Sequence, residues 1–134
     1  MQETLIIIKP DATARGLAGE IIARLEGAGF EVVERRRERP PEELFRQLYA
    51  EPPIKPQSKL MTAYMMSGEV CFLRVRREDA IEQARLLEGP TDPEDAPAGT
   101  IRGDLGIDFR PNSVHASDSP DTARRELDLV FPQQ

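Results

Sequence analysis

The order in which short apolar, β-branched runs alternate with helical stripes limits this chain to very few folds. Thr4–Ile8 is apolar and β-branched and reads as a buried strand. Leu17, Ile21, Ile22, Leu25 and Ala28 follow as a helical stripe, with Gly27 and Gly29 as stop signals. Phe30–Arg37, centred on Val32 and Val33, is a second strand turned partly to solvent. Pro40-Pro41-Glu42-Glu43 starts a helix, with proline near the first turn and acids at the positive end of the dipole. Its apolar positions are Leu44, Phe45, Leu48 and Tyr49. Glu51–Lys55, with Pro52 and Pro53, breaks the chain before a further helix carrying Leu60, Met61, Tyr64 and Met65, closed by Ser67-Gly68.

Val70–Val75 is a third strand, and Glu78–Leu87 a helix with Ala80, Ile81, Ala84 and Leu87 inward. Glu88–Ala98 is a loop of prolines and acids, and Asn112–Ala116 a short strand. Ser119-Pro120-Asp121 supplies cap, first-turn proline and first-turn acid to a helix carrying Ala123, Leu127 and Val130. Without the middle helical pair the order is β-α-β-β-α-β with a terminal helix. That predicts an α+β, ferredoxin-like (split βαβ) antiparallel sheet with helices on its surface, plus an inserted helical hairpin. The 134 residues suit a single domain, 1–134, around one core. Such a fold serves many unrelated activities and decides none of them.

Composition excludes some chemistry. The run Leu5-Ile-Ile-Ile8 is too short, and too soon interrupted by Lys9, for a signal peptide, and no apolar run approaches membrane-spanning length. A cytoplasmic protein is expected. Cys71, the single cysteine, lies in an apolar strand and reads as a buried, inert thiol. One cysteine and one histidine are too few for a structural zinc site. A net charge of −6 disfavours nonspecific binding to nucleic acid or an anionic membrane. Arg35-Arg36-Arg37 is interleaved with Glu34 and Glu38, as on a solvated strand edge. Phosphate binding therefore needs positive charge concentrated in a pocket.

His115, the only histidine, lies in the run Arg110-Pro-Asn-Ser-Val-His-Ala-Ser-Asp-Ser119. Imidazole can accept and release a phosphoryl group near neutral pH, because its free pKa leaves one nitrogen unprotonated. Lys9-Pro10-Asp11 at a strand end can project a lysine toward a phosphate, or simply leave it solvated. Gly99-Thr-Ile-Arg-Gly-Asp104 pairs flexible backbone with Arg102, whose planar fork matches a phosphate; the plain alternative is a tight turn with a surface arginine. Arg85 is either a phosphate ligand or part of a solvated helix face. Thr91 has no reading of its own. Ser117 and Glu126 either orient the histidine or serve as cap and surface residues.

Taken together and in this order, these blocks resemble nucleoside diphosphate kinases over nearly the whole chain. The resemblance runs through Glu3-Thr-Leu-Ile-Ile-Ile-Lys-Pro-Asp11, Arg15-Gly-Leu-Ala-Gly-Glu-Ile-Ile22, Tyr64-Met-Met-Ser-Gly68, Pro97-Ala-Gly-Thr-Ile-Arg-Gly-Asp104 and Asn112-Ser-Val-His-Ala-Ser-Asp-Ser119. It implies ping-pong transfer of a γ-phosphoryl group from a nucleoside triphosphate, typically ATP, to a nucleoside diphosphate, with His115 as the carrier and Glu126 and Ser117 as its orienting partners. It further implies that Lys9, Tyr49, Arg85, Thr91 and Arg102 hold phosphates and that Lys9 and Asn112 contact the sugar hydroxyls. Mg²⁺ would arrive with the nucleotide, with no dedicated protein cage, and Asp118 would reach it through water. The implied partners are nucleoside tri- and diphosphates, with no nucleic acid and no membrane, in a homo-oligomer (tetramer or hexamer built from dimers).

The chain also departs from the family pattern. Gln57, in Lys55-Pro56-Gln57-Ser58, stands where a phenylalanine commonly stacks on the base, and Phe109 stands where a small aliphatic residue is usual. Ala12, Pro111 and Ala116 replace a glycine, a basic residue and a glycine. None of these removes a group needed for transfer. A non-catalytic nucleotide-binding module is the competing class, opposed by the intact set His115, Lys9, Arg85, Arg102, Thr91, Asn112 and Glu126. A histidine phosphotransfer signalling protein is opposed by the apolar strands, since such proteins are helical bundles. If Phe109 supplies the stacking face from the opposite wall, Phe109→Ala raises KM for both ATP and GTP, since a stacked base is worth about 1–3 kcal/mol. An unchanged KM for both nucleotides excludes that role.

Overall fold

β1 (Gln2–Ile8) is paired along both edges: antiparallel to β3 (Val70–Arg77) on one side and to β4 (Val114–Ala116) on the other. β2 (Glu31–Glu38) pairs antiparallel with the far side of β3, so the sheet order is β2-β3-β1-β4. β1 and β2 therefore run parallel with β3 between them, which is the split βαβ arrangement expected from the order of elements. The computed structural model describes residues 1–48, 63–90, 95–105 and 114–132, with Arg46 described through its backbone only.

Side chains alternate across a strand, so β1 serves two cores at once. Ile6 and Ile8 pack with Ile21 and Leu25 of α2 (Ala18–Gly27), with Ala80 and Ala84 of α4 (Ala80–Glu88), and with Ile101. Leu5 and Ile7 pack on the opposite face with Leu44, Phe45 and Leu48 of α3 (Glu42–Leu48) and with Leu127 and Val130 of α6 (Pro120–Val130). A strand covered on both faces has no solvent side, and this is why Thr4–Ile8 is apolar without alternation. β2 lies at the sheet edge and is mostly exposed, so its arginines are the solvated edge expected of Arg35-Arg36-Arg37; Arg36 reaches inward to donate to the Val130 carbonyl at 2.7 Å.

Two short helices were not expected from the sequence. In α1 (Pro10–Ala14) Lys9 is the N-cap residue and Pro10 occupies the first turn, so one proline ends β1 and starts a helix. Thr13 Oγ1 ties α1 to the Glu69 carbonyl at 2.6 Å, and the Tyr64 hydroxyl donates to the Asp11 carboxylate. α5 (Ile101–Leu105) replaces most of the turn expected over Gly99–Asp104. Thr100 Oγ1 accepts from the Gly103 N–H at 3.0 Å, and Asp104 accepts from the Gly99 N–H at 3.1 Å. Helices this short carry too few apolar repeats for periodicity to reveal them. Of the expected helical hairpin the described residues hold α3 and helical residues 63–65; residues 49–62, on which the rest of that expectation falls, lie outside the described residues. No described helix is long and apolar enough to cross a membrane.

The cap of α6 is as expected, with Ser119 Oγ accepting from the Thr122 N–H at 3.1 Å and Pro120 in the first turn. Ser119→Ala should lower stability by about 1 kcal/mol, read as a lower urea midpoint at unchanged m-value.

Candidate active site around His115

The pairing of β4 with β1 decides where His115 points. His115 is directly opposite Ile7, and paired residues of an antiparallel ladder share a face. Ile7 faces α3 and α6, so His115 does too, while Val114 and Ala116 face the other core with Ile8 and Ile6. α6 begins at Pro120 and brings Glu126 beneath the ring: His115 Nε2 lies 3.3 Å from Glu126 Oε1. Ser117, fully buried just past β4, donates its hydroxyl to the same Oε1 at 2.6 Å. Its own N–H bonds to the Leu5 carbonyl, so the central strand fixes this residue as well.

Burial raises the pKa of Glu126, but the hydrogen bonds and charge interaction with His115, with the Ser117 hydrogen bond, outweigh it and hold the carboxyl below its ordinary value. An ionised acceptor at Nε2 places the ring proton there and leaves Nδ1 as the unprotonated nitrogen. The imidazole remains about a quarter exposed. The sequence alternatives for Ser117 and Glu126, cap and surface residues, do not apply: both are buried, Glu126 against the histidine and Ser117 against Glu126.

Cationic residues converge from three other elements. Lys9, at the end of β1, is 4% exposed, and burial together with the charge of Arg102 pushes its pKa down to about 8 against the pull of Glu88 and Asp11. Arg102, on α5, is buried and not a surface arginine. Its Nη1 donates to the Gly89 carbonyl at 3.1 Å and its Nη2 to the Val114 carbonyl at 2.9 Å, with Glu88 Oε1 2.7 Å from the same Nη2. Arg85 is exposed on α4, close enough for its charge to act on both Glu88 and Arg102.

Two glycines hold this part of the chain together. Gly89 has φ +90°, and a Cβ there would meet Thr100 at 2.9 Å. A Cβ on Gly103 would lie 2.2 Å from the Pro97 carbonyl oxygen. Arg24 clamps the end of α5 through Asp104 at 2.8 Å.

Glu88 is the charged residue that sequence reading missed by assigning it to the loop. It is the last residue of α4 and 5% exposed. The signal was present: Ala80, Ile81 and Ala84 define the inward stripe, and position 88 continues it one turn beyond Ala84.

The described residues thus form two sets. His115, Ser117 and Glu126 are joined by hydrogen bonds, while Lys9, Arg102, Arg85 and Glu88 form a charge cluster whose Glu88 also feels the His115 charge. Tyr49, Gln57, Thr91, Phe109, Pro111 and Asn112 lie outside the described residues. Asp118 is exposed just past Ser117. Ala12 and Ala116 are buried in α1 and β4. Among the described residues no group of three or more His, Cys, Asp or Glu is placed to hold a metal ion. This arrangement offers one nucleophilic nitrogen oriented by a carboxylate, with a cationic wall suited to phosphate oxygens.

Comparison with known proteins gives a consistent result. The family model for nucleoside diphosphate kinase matches residues 2–134. A nucleoside diphosphate kinase from Streptomyces avermitilis is 45% identical over 132 residues, covering 98% of this chain and 96% of the relative. One from Archaeoglobus fulgidus is 43% identical over 131 residues, covering 98% and 87%. The crystal structure of the apo Encephalitozoon cuniculi nucleoside diphosphate kinase superposes with a TM-score of 0.95 at 35% identity, covering 99% of this chain and 90% of that one. The Halobacterium salinarum nucleoside diphosphate kinase in complex with CDP gives 0.93 at 40% identity, covering 98% and 88%.

The lowered pKa of Glu126 has a thermodynamic consequence. A carboxyl whose folded pKa lies below its ordinary 4.5 contributes stability above that value and loses it as pH falls through the folded pKa. The urea midpoint of the wild type should therefore exceed that of Glu126→Gln near neutral pH, and the two should converge as the pH drops below 4.5. A midpoint difference independent of pH would contradict the assigned ionised state.

Proposed function

The chain belongs to the nucleoside diphosphate kinase family and is an enzyme of that class, and we propose that it moves the γ-phosphoryl group of a nucleoside triphosphate, typically ATP, to a nucleoside diphosphate by ping-pong through a phosphohistidine on His115. The observation that carries this reading is the contact between His115 Nε2 and Glu126, which leaves Nδ1 as the free nucleophile. In the first half-reaction Nδ1 bonds to the γ-phosphorus, the bond from that phosphorus to the β,γ-bridging oxygen breaks, and the diphosphate leaves. In the second, a terminal oxygen of an incoming diphosphate attacks the phosphorus, the N–P bond breaks and the imidazole is restored. Glu126 keeps its hold on the Nε2 proton throughout and balances the positive charge that the ring gains when Nδ1 is phosphorylated.

Phosphoryl transfer needs positioning and charge stabilisation more than further covalent chemistry. We assign the phosphates to Lys9, Arg102 and Arg85, with Tyr49 and Thr91, and the sugar hydroxyls to Lys9 and Asn112. Gln57 and Phe109 would face the base. Mg²⁺ enters as part of the nucleotide substrate, where it spreads the phosphate charge, and Asp118 would reach it through water. A lysine with a pKa near 8 is mostly charged at neutral pH yet buried, so its charge is screened less than at the surface when it acts on a phosphate. In this reading residues 1–134 work as a single domain, in a homo-oligomer. The exposed position of β2 at the sheet edge supports association.

Purified protein given ATP and GDP should form GTP, and His115→Ala should abolish transfer. With labelled ATP alone the wild type should retain label in an acid-labile linkage, and His115→Ala should retain none. Nucleotide binding without transfer would replace this reading with a binding module.

A further inference from the structure

Glu88 has no part in the transfer chemistry, yet it occupies the centre of the cationic cluster. Its Oε1 is 2.7 Å from Arg102 Nη2, and both side chains are under a tenth exposed. Nη2 also donates to the Val114 carbonyl at 2.9 Å, so it is held between a protein acceptor and the Glu88 carboxylate. The position is costly for an acid. It continues the apolar stripe of α4, it is buried, and it lies at the negative end of the helix dipole. An apolar side chain would suit the core better, so the carboxylate needs a reason in the site that it faces. The charged groups around it are Arg102 on α5, Lys9 at the end of β1, His115 on β4 and Arg85 on its own helix.

We propose that Glu88 is a counter-anion that competes with the nucleotide's phosphates for Arg102 and holds the affinity of the site for phosphate oxygens below what its cations would otherwise give. The inference rests on the assignment of Arg102 to phosphate binding. Phosphate oxygens reach the Nη2 side of Arg102 only by displacing Glu88 or by sharing the guanidinium with it. Either way a negative charge stays beside the incoming polyanion and weakens its hold. For a ping-pong enzyme this is useful, because each half-reaction must release a diphosphate, and tight uniform binding of substrate and product does not speed transfer. A mere strut for Arg102 would have the opposite effect on removal: Arg102 would lose its place and nucleotide binding would weaken.

The test compares wild type, Glu88→Gln, Glu88→Met and Arg102→Met in the full chain by calorimetric titration with ADP, with thermal unfolding to verify the fold. Gln retains an acceptor for Arg102, which guards against loss of structure, and Met continues the apolar stripe. Both Glu88 variants should bind ADP more tightly, on the order of tenfold, with KM lowered and kcat unchanged or reduced by slower release. The pH series adds a second readout. Protonation of Glu88 removes the competitor, so the wild type should gain affinity as pH falls by more than Glu88→Gln does. Because Glu88 interacts with the charges of Lys9 and His115, the series is repeated in a Lys9→Met, His115→Ala background. There the difference between the two proteins should persist, and the ADP phosphates contribute equally to both. Equal or weaker ADP binding in both Glu88 variants, with the fold intact and Arg102→Met weakened, would overturn the counter-anion role alone. An unchanged affinity in Arg102→Met would overturn the assignment of Arg102 to phosphate, and the inference with it.

Discussion

β1 is hydrogen-bonded on both edges and packed on both faces, and His115, Ser117 and Lys9 take their positions from that strand. His115 stands opposite Ile7 and so faces α6. Ser117 is held through the Leu5 carbonyl, and Lys9 leaves the end of the strand where Pro10 turns the chain into α1. Because one residue of register slip would move every side chain to the other face, the apolar load of Leu5–Ile8 is also what keeps His115 against Glu126. Rigidity of this kind suits a nucleophile that must meet a phosphorus in line.

Electrostatics at the site run against the charge of the whole molecule. The chain carries a net −6, while Lys9, Arg102 and Arg85 gather around Glu88, which also feels the charge of His115. Buried cations repel one another and are expensive to desolvate, as the lowered pKa of Lys9 records. Glu88 and the carbonyls of Gly89 and Val114 offset that cost at Arg102. The same contacts make Arg102 a brace between α4, α5 and β4, so the geometry of the phosphate wall and the stability of this corner are set by one side chain. Gly103 belongs to the same arrangement: the approach of the Pro97 carbonyl leaves no room for a Cβ beneath the helix that carries Arg102.

The fold was legible because its strands and longer helices bury whole faces, and a buried face imprints a period on the sequence. Leu17, Ile21 and Leu25 announced α2, Val70–Val75 announced β3, and Ser119-Pro120 announced the start of α6. α1 and α5 were not legible, being short helices defined by local caps, such as Thr100 on Gly103, and by long-range ties, Thr13 to Glu69 and Asp104 to Arg24. Among site residues, His115, Lys9 and Arg102 stood out by residue type and by their motifs. Glu88 did not, because a charged residue at the start of a proline-rich stretch reads as loop unless the helical stripe is carried one turn further.

The sequence by itself determined the element order, the apolar central strand, the single histidine and the motifs by which the chain resembles its family, since these are written in local pattern and residue type. Tertiary structure alone decided that Glu126 meets Nε2, that Arg102 is braced by Glu88 and two carbonyls, and that Lys9 is buried enough to lower its pKa. Those outcomes depend on distances between segments far apart in the chain and on how completely water is excluded where they meet. Neither quantity has a local signature along the chain.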